Sequence, residues 1–302
     1  MGASAFMVSR GLRSRRLRRG AGGLRGVVRS SEEIDGIRRA GGAVAEALEA
    51  ARSACVVGST TSRIDDAIRG AIEALGARPA LAGFEGDPRL GRRPFPAASC
   101  ISVGDELLHA VPGRRLVRDG DLVSIDVAVE FDGWFADGAA TIPVGSVDAR
   151  ARAMIACAER MLEHAICSMR PGRRWSSIAA QLEEIAVGAG FAIATRHVGH
   201  GIGRALHESP QVPCALDAVA RAGADSRDFC LRPGLVLAIE PTLVLEPPRH
   251  DAAGVLVAPE TEVAEDGWTV RVRSGAPSCH VEHTVAVGAH GAEVLTALRR
   301  AA

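Results

Sequence analysis

Two runs decide the fold: Arg118-Asp119-Gly120-Asp121-Leu122-Val123-Ser124-Ile125-Asp126 and Arg232-Pro233-Gly234-Leu235-Val236-Leu237-Ala238-Ile239-Glu240. They align without a gap. Arg, Gly and Ile match, Leu122 falls on Val236, and an acid ends each run. Both read as apolar strands. Working outward, the elements around them repeat as well. Ser30-Ser31-Glu32-Glu33 reads as a capping box opening a helix that carries Ile34, Ile37, Val44, Ala45 and Leu48. A second helix carries Ile64, Ile68, Ile72 and Leu75, with Gly76 as its stop. Residues 82–100, rich in Gly, Pro and Arg, read as an exposed loop over a pocket. Strands follow over 100–103, 122–129 and 141–144, with a hairpin turn at Phe131-Asp132-Gly133-Trp134.

Then helices return. One carries Met154, Ile155, Ala158, Met161, Leu162, Ile166 and Met169 and stops before Pro171-Gly172. The next carries Ile178, Leu182 and Ile185 and stops near Gly188. Strand-like runs resume after Ile193 and continue to Val287. Helix, helix, strands thus occurs twice. The expected fold class is α+β: pseudo-twofold duplicated α-α-β halves, helices outside and strands in the middle. Each half also offers a second acid ahead of a strand, Asp137 before 141–144 and Glu282 before 284–287. Four carboxylates would then surround the pseudo-twofold axis.

The 302 residues are 47% hydrophobic, enough for one large core or two fused smaller ones. The formal net charge is zero, so the chain as a whole exerts no pull on nucleic acid or anionic membrane. Every Lys/Arg position is Arg, and Asn and Tyr are missing too, a pattern of GC-rich codon usage. The seven cysteines are scattered without a Cys-x-x-Cys pair, as in a reduced cytoplasmic protein. No apolar run reaches the 18 residues that would suggest a membrane span. Residues 1–29 differ from the rest: Arg10, Arg13, Arg15, Arg16, Arg18, Arg19, Arg25 and Arg29 stand there without one acid. This segment reads as a basic extension without fixed structure. Ribosomal RNA contact through its arginines and an organelle transit peptide are alternative readings. The folded domain spans 30–302.

Asp126 and Glu240 end apolar runs, and Glu282 lies between Val281 and His283-Thr284-Val285. One such acid alone reads as a strand-end carboxylate paired with Arg or with water. Four in related apolar settings need positive charge that few neighbouring arginines can supply. His200 lies in Gly199-His200-Gly201-Ile202-Gly203, where flanking glycines let the backbone turn and present the imidazole. An oxygen-rich set with one imidazole suits Mn(II), Fe(II), Co(II) or Zn(II), and two ions bridged by carboxylates sit roughly 3.5–4 Å apart.

These stretches, together with Gly203-Arg204, His207-Glu208-Ser209-Pro210-Gln211-Val212 and Ile239-Glu240-Pro241, resemble type I methionine aminopeptidases over about residues 30–290. The family has the pita-bread fold with a central antiparallel sheet, which agrees with the repeat. The resemblance implies removal of the N-terminal methionine from nascent proteins, by attack of a dimetal-bound hydroxide on the first peptide bond. It implies two divalent ions per chain, bridged by Asp137 and Glu282, with Asp126 completing one site and His200 and Glu240 the other. Glu240 is also the implied proton carrier, His109 the contact to the substrate and leaving amine, and His207 the group that binds the scissile carbonyl. The methionine pocket would be walled by Phe84, Phe95, Cys100, Leu206 and Trp268.

This chain departs from the family in places. Phe84 and Phe95 stand where Tyr is common, and Leu206 where Phe is common, which suggests a wider pocket. Gly138, Ala139 and Ala128 replace hydroxyl residues near the ligands, thinning the groups that orient them. Insertions fall around 87–94, 215–228 and 247–265. Two alternatives share the motifs: a prolidase or Xaa-Pro aminopeptidase on the same fold, and a non-catalytic binding relative. The stretch from His207, Trp268, and the short region before the domain favour methionine; the full ligand set disfavours a non-catalytic protein. The expected partners are nascent polypeptide N-termini, with no membrane, and a monomer suffices because one chain builds the whole site.

Overall fold

In the computed structural model, which describes residues 27–84, 86, 93–216 and 228–297, the two aligned runs occupy equivalent places. Gly120 and Gly234 both take left-handed backbone, φ 92° and 86°, which glycine alone adopts without penalty. The Gly120 amide donates to the Val144 carbonyl and the Gly234 amide to that of Val287, each at 2.8 Å. Val144 N–H returns to Asp121 and Val287 N–H to Leu235, at 2.9 and 2.8 Å. The sequence repeat is therefore a repeat of backbone hydrogen bonds.

The main sheet is antiparallel throughout and runs Arg78–Pro79, Leu122–Phe131, Trp134–Pro143, Glu282–Val287, Val236–Ile239, Gly199–Gly201, Glu208–Val212. Cys100–Val103 adds to Leu122–Phe131, and Ala292–Val294 to Glu282–Val287. The pseudo-twofold passes between Trp134–Pro143 and Glu282–Val287. Threonines stitch that seam in matching pairs. Asp137 N–H donates to Thr284 Oγ1 (2.9 Å), whose hydroxyl donates to the Asp137 carbonyl (2.8 Å). On the other side His280 N–H donates to Thr141 Oγ1 (2.9 Å), whose hydroxyl donates to the His280 carbonyl (2.8 Å).

Among the described residues, four helices cover one face: α1 (Ser31–Ala54), α2 (Thr61–Ala74), α3 (Ala149–Ser168) and α4 (Trp175–Ala189). Ser30 and Glu33 form the capping box of α1, and Thr60 and Asp148 cap α2 and α3. Two cores result. Ile37, Val44, Ile64, Ile68 and Ile72 pack on Ile125, Val127 and Val129 in the first half. Met154, Met161, Trp175, Ile178 and Leu182 pack on Leu237, Ile239 and Val285 in the second. Each such side chain contributes roughly 1.5–3 kcal/mol of burial.

Several expectations shift. The hairpin turn is tighter than its flanks suggested: Asp132 and Gly133 both have positive φ (52° and 75°). Pairing therefore resumes at once, from Phe131 opposite Trp134. Asp137 consequently lies inside its strand, and Glu282 is the first residue of its own, so neither precedes a strand. Gly188 is within α4, and left-handed Gly190 (φ 77°) ends it. Leu75 is the exposed C-cap of α2 and not part of its apolar stripe. Structure is also described before Ser30. Val28 bridges Leu235, Arg29 N–H donates to the Gly234 carbonyl (2.8 Å), and the buried Arg29 guanidinium pairs with Glu208.

Residues 1–26, with most of the basic extension, lie outside the described residues, as do most of 87–94 and 215–228. Within 247–265, Arg249–His250 pairs with Leu256–Val257, and Thr261–Val263 pairs with Val270–Val272, which pairs in turn with Glu106–Leu108. Among the described residues no helix is long and apolar enough to cross a membrane.

Candidate metal centre

A Cβ on Gly138 would press on Val44 of α1, so Gly138 points toward the helices and its neighbours Asp137 and Ala139 point the other way. Asp126 lies opposite Ala139, and Ala139 opposite Glu282. Thr284 lies opposite Ala238, and Ala238 opposite His200. Residues directly opposed, or two apart on one strand, share a face. Strand pairing alone therefore sets Asp126, Asp137, Glu282 and His200 on the face that the helices leave uncovered.

His200 reaches this place for a reason other than a turning glycine loop. Gly199–Gly201 is a strand, and neither glycine has positive φ. A side chain on Gly199 would run into the Ala238 carbonyl, and one on Gly201 into that of Ser209. The glycines thus permit close strand approach, and a register shift between His200 and Gly201 re-aims the chain there. His200 Nδ1 lies 3.0 Å from the Gly201 carbonyl, which can only accept. Nδ1 therefore carries the proton, and Nε2 offers its lone pair to the centre.

Ligand atoms of Asp137, His200 and Glu282 all lie within 4.8 Å of one another, and all three residues are buried. His200 Nε2 stands 4.0 Å from Asp137 Oδ2 and 3.9 Å from Glu240 Oε1. Asp126 meets Asp137 carboxyl to carboxyl. Crowding of acids shows in their proton affinities. Burial, reinforced by Asp137, pushes Glu240 up to about 8 and raises Asp126 and Glu282 well above the carboxylate range. Burial lifts Asp137 to about 6 even though Asp126 and the Gly138 amide oppose it. Burial, then His207, lowers His200 to about 3, so its imidazole is neutral. Buried Asp126 Oδ1 and Glu282 Oε1 have no hydrogen-bond partner in the protein. Orphaned carboxylate oxygens beside a neutral imidazole are the donor set of a divalent cation site.

The other expected site residues form two groups. The His207 ring meets His200 edge-on at 4.4 Å and Phe84 at 5.5 Å, so it stands at the rim of the acidic centre. Phe95, Cys100 and Trp268 form a small apolar cluster against which Phe84 packs, with Phe95 edge-on to Trp268 at 5.2 Å. Cys100 lies opposite Asp126, and burial keeps its thiol protonated. The expected pocket wall thus abuts the acids. Leu206 departs from that grouping: it lies in a loop before the Glu208–Val212 strand and is buried in the α1/α2 core with Ile202 and Trp134. His109 adopts left-handed backbone (φ 58°), an uncommon conformation for a side chain-bearing residue, and its ring faces His197 at 6.0 Å.

Of the hydroxyl replacements, Gly138 turns its Cα toward α1 while its amide donates to Asp137 Oδ1 (3.0 Å), whereas Ala139 sits in the ligand row itself. Sequence reasoning missed His280. It is 2% exposed, and its Nε2 lies 3.7 Å from Glu240 Oε2 and 4.0 Å from Glu282 Oε2. The signal was present: His280 stands four residues before Thr284, as Asp137 stands four before Thr141, while Glu282 stands only two before.

Comparison with known proteins agrees with this geometry. Residues 35–289 match the model of metallopeptidase family M24. The chain belongs to that family. A methionine aminopeptidase of Treponema pallidum is 34% identical over 269 residues, 89% of this chain and 95% of the relative. The crystal structure of a Thermotoga maritima methionine aminopeptidase superposes with a TM-score of 0.78 at 32% identity, covering 90% of this chain and all of that one. A prolidase from Pyrococcus furiosus shares the fold alone, with a TM-score of 0.65, 20% identity and 66% of its length covered. The M24 architecture of these relatives is the pita-bread fold, and the acidic centre lies where the two halves of that fold meet.

Proposed function

We propose that this M24 chain is a methionine aminopeptidase that hydrolyses the first peptide bond of newly made proteins with two divalent ions. The observation that carries the reading is the convergence of Asp137, His200 and Glu282 from both halves onto one buried point. Asp137 and Glu282 would hold both ions, with Asp126 completing one site and His200 and Glu240 the other. Bound there, Co(II), Mn(II), Fe(II) or Zn(II) would supply Lewis acidity, polarising the scissile carbonyl and lowering the pKa of water toward neutrality.

The remaining steps belong to side chains. Glu240, beside the ions, would take a proton as water attacks and pass it to the leaving amine. His207, at the rim beside His200, donates to the oxyanion that develops on the carbonyl. His109 positions the amide that breaks. Phe84, Phe95, Cys100 and Trp268 offer the thioether an apolar, sulfur-tolerant wall. One chain supplies every group, so a monomer suffices, and seven free cysteines suit cytoplasmic work on nascent chains.

The test is turnover of Met-Gly-Met beside Ala-Pro peptides, before and after chelation and metal return. Release of methionine that chelation stops and metal restores is expected. Preference for the Pro peptide would make the chain a prolidase, and metal uptake without any turnover would make it a binding protein.

A further inference from the structure

The threonine pairs along the seam expose an unassigned member of the centre. Asp137 exchanges two hydrogen bonds with Thr284, and His280 exchanges the same two, at the same 2.9 and 2.8 Å, with Thr141. Each residue stands four places before its own half's threonine. His280 is therefore the pseudo-twofold mate of Asp137, and its side chain leaves the backbone toward the same centre. Its surroundings agree. Both ring nitrogens are buried and lack a hydrogen-bond partner. Nε2 lies 3.7 Å from Glu240 Oε2 and 4.0 Å from Glu282 Oε2. Those separations exceed a hydrogen bond. They match the 3.9 and 4.0 Å that His200 Nε2 keeps from Glu240 Oε1 and Asp137 Oδ2. Two donors bound to one ion at about 2.0–2.2 Å each can lie no more than about 4.4 Å apart, and every one of these pairs satisfies that limit.

We infer that His280 is a sixth ligand of the metal centre, so that Glu240 is flanked by two imidazoles, one on each carboxylate oxygen. An unpaired buried imidazole is otherwise costly; a cation removes that cost without a proton. The site then has two nitrogen and four carboxylate donors. A second imidazole shifts its preference from Mn(II) toward Zn(II), Co(II) or Fe(II).

The inference rests on the two-metal reading, and one experiment separates the two. The full-length protein is loaded with two equivalents of Co(II), and X-ray absorption counts imidazoles per cobalt, alongside calorimetric titration of the metal. Wild type should show about one imidazole per cobalt on average, that is, two per pair. His280→Ala should halve that count and raise the Co(II) dissociation constant at least about tenfold. Intact binding of two cobalt ions with a single imidazole per pair would overturn the sixth ligand and leave the peptidase reading standing. Failure of the wild type to bind cobalt would overturn both. Should His280→Ala not fold, the wild-type count decides alone.

Discussion

Where the N-terminal half places Asp137 against Thr284, the C-terminal half places His280 against Thr141, and where the C-terminal half places Glu282, the N-terminal half has Ala139. The backbone hydrogen bonds of the halves coincide to about a tenth of an ångström, while the side chains they present have diverged. The comparison separates two jobs. Glycine turns, seam threonines and apolar strands maintain the scaffold, so they match. The positions proposed to hold metal carry different donors, so they differ. The cores follow the scaffold's rule: α1/α2 and α3/α4 each cover their own strands with a different packing of the same kind.

Breaking a ligand should therefore harm chemistry far more than breaking its mirrored scaffold partner. Asp137→Ala and Glu282→Ala each remove a carboxylate proposed to bridge the ions, and kcat/KM on Met-Gly-Met should fall at least about a thousandfold. Wild-type turnover by either variant would cancel its assignment as a bridge. His207→Ala should lower kcat by about 10²–10³ with metal content unchanged, the cost of one oxyanion donor. His109→Ala should also lower kcat and keep its metal; metal loss in that variant would make His109 a ligand.

Removing metal should make stability depend on pH in one direction. Asp137 and Glu240 are raised to about 6 and about 8 in the folded chain, so they bind protons more tightly folded than unfolded. Their stabilisation is complete below pH ~4 and is lost as pH rises through 6 to 8, on the order of a few kcal/mol. His200, lowered to about 3, acts oppositely: its contribution is present above pH ~6.5 and lost as pH falls toward 3. Urea titrations of the chelated protein between pH ~7 and ~8.5, above the range where the buried histidines titrate in the unfolded chain, should show the decline of Glu240, and bound metal should abolish it. A chelated protein equally stable across that range would contradict the crowded-acid account.

The seam sharpens the comparison at smaller scale. Thr284→Val and Thr141→Val should each destabilise by about 1–3 kcal/mol, because each leaves a buried amide and carbonyl short of a partner. Unequal costs well outside that range would show that the two sides of the seam are not equivalent. Smallest of all, Ser30→Ala should cost about 1 kcal/mol through loss of the α1 capping box; α4 has no side-chain cap at Arg174 to lose.

Much of this was legible in the chain itself. The duplicated glycine–strand–acid run carries its own symmetry, and the capping box and hairpin turn mark boundaries with local chemistry. Acids ending apolar strands pointed to a cation, and the structure brings Asp137, His200 and Glu282 together at one buried point. What escaped reading depends on contacts between distant residues. The glycines beside His200 answer to the carbonyls of Ala238 and Ser209, which spacing cannot reveal. Leu206 belongs to the core because of the elements around it, and its neighbour His207 to the rim. His280 hides in the repeat because Glu282, the acid of its half, stands two residues beyond the mate of Asp137.

The most direct measurement is anomalous diffraction from crystals grown with Co(II) or Zn(II). Two peaks roughly 3.5–4 Å apart should lie between the halves, each within about 2.0–2.3 Å of oxygen or nitrogen atoms from Asp126, Asp137, His200, Glu240 and Glu282. No peak there, or peaks bound only by residues of one half, would contradict the shared centre.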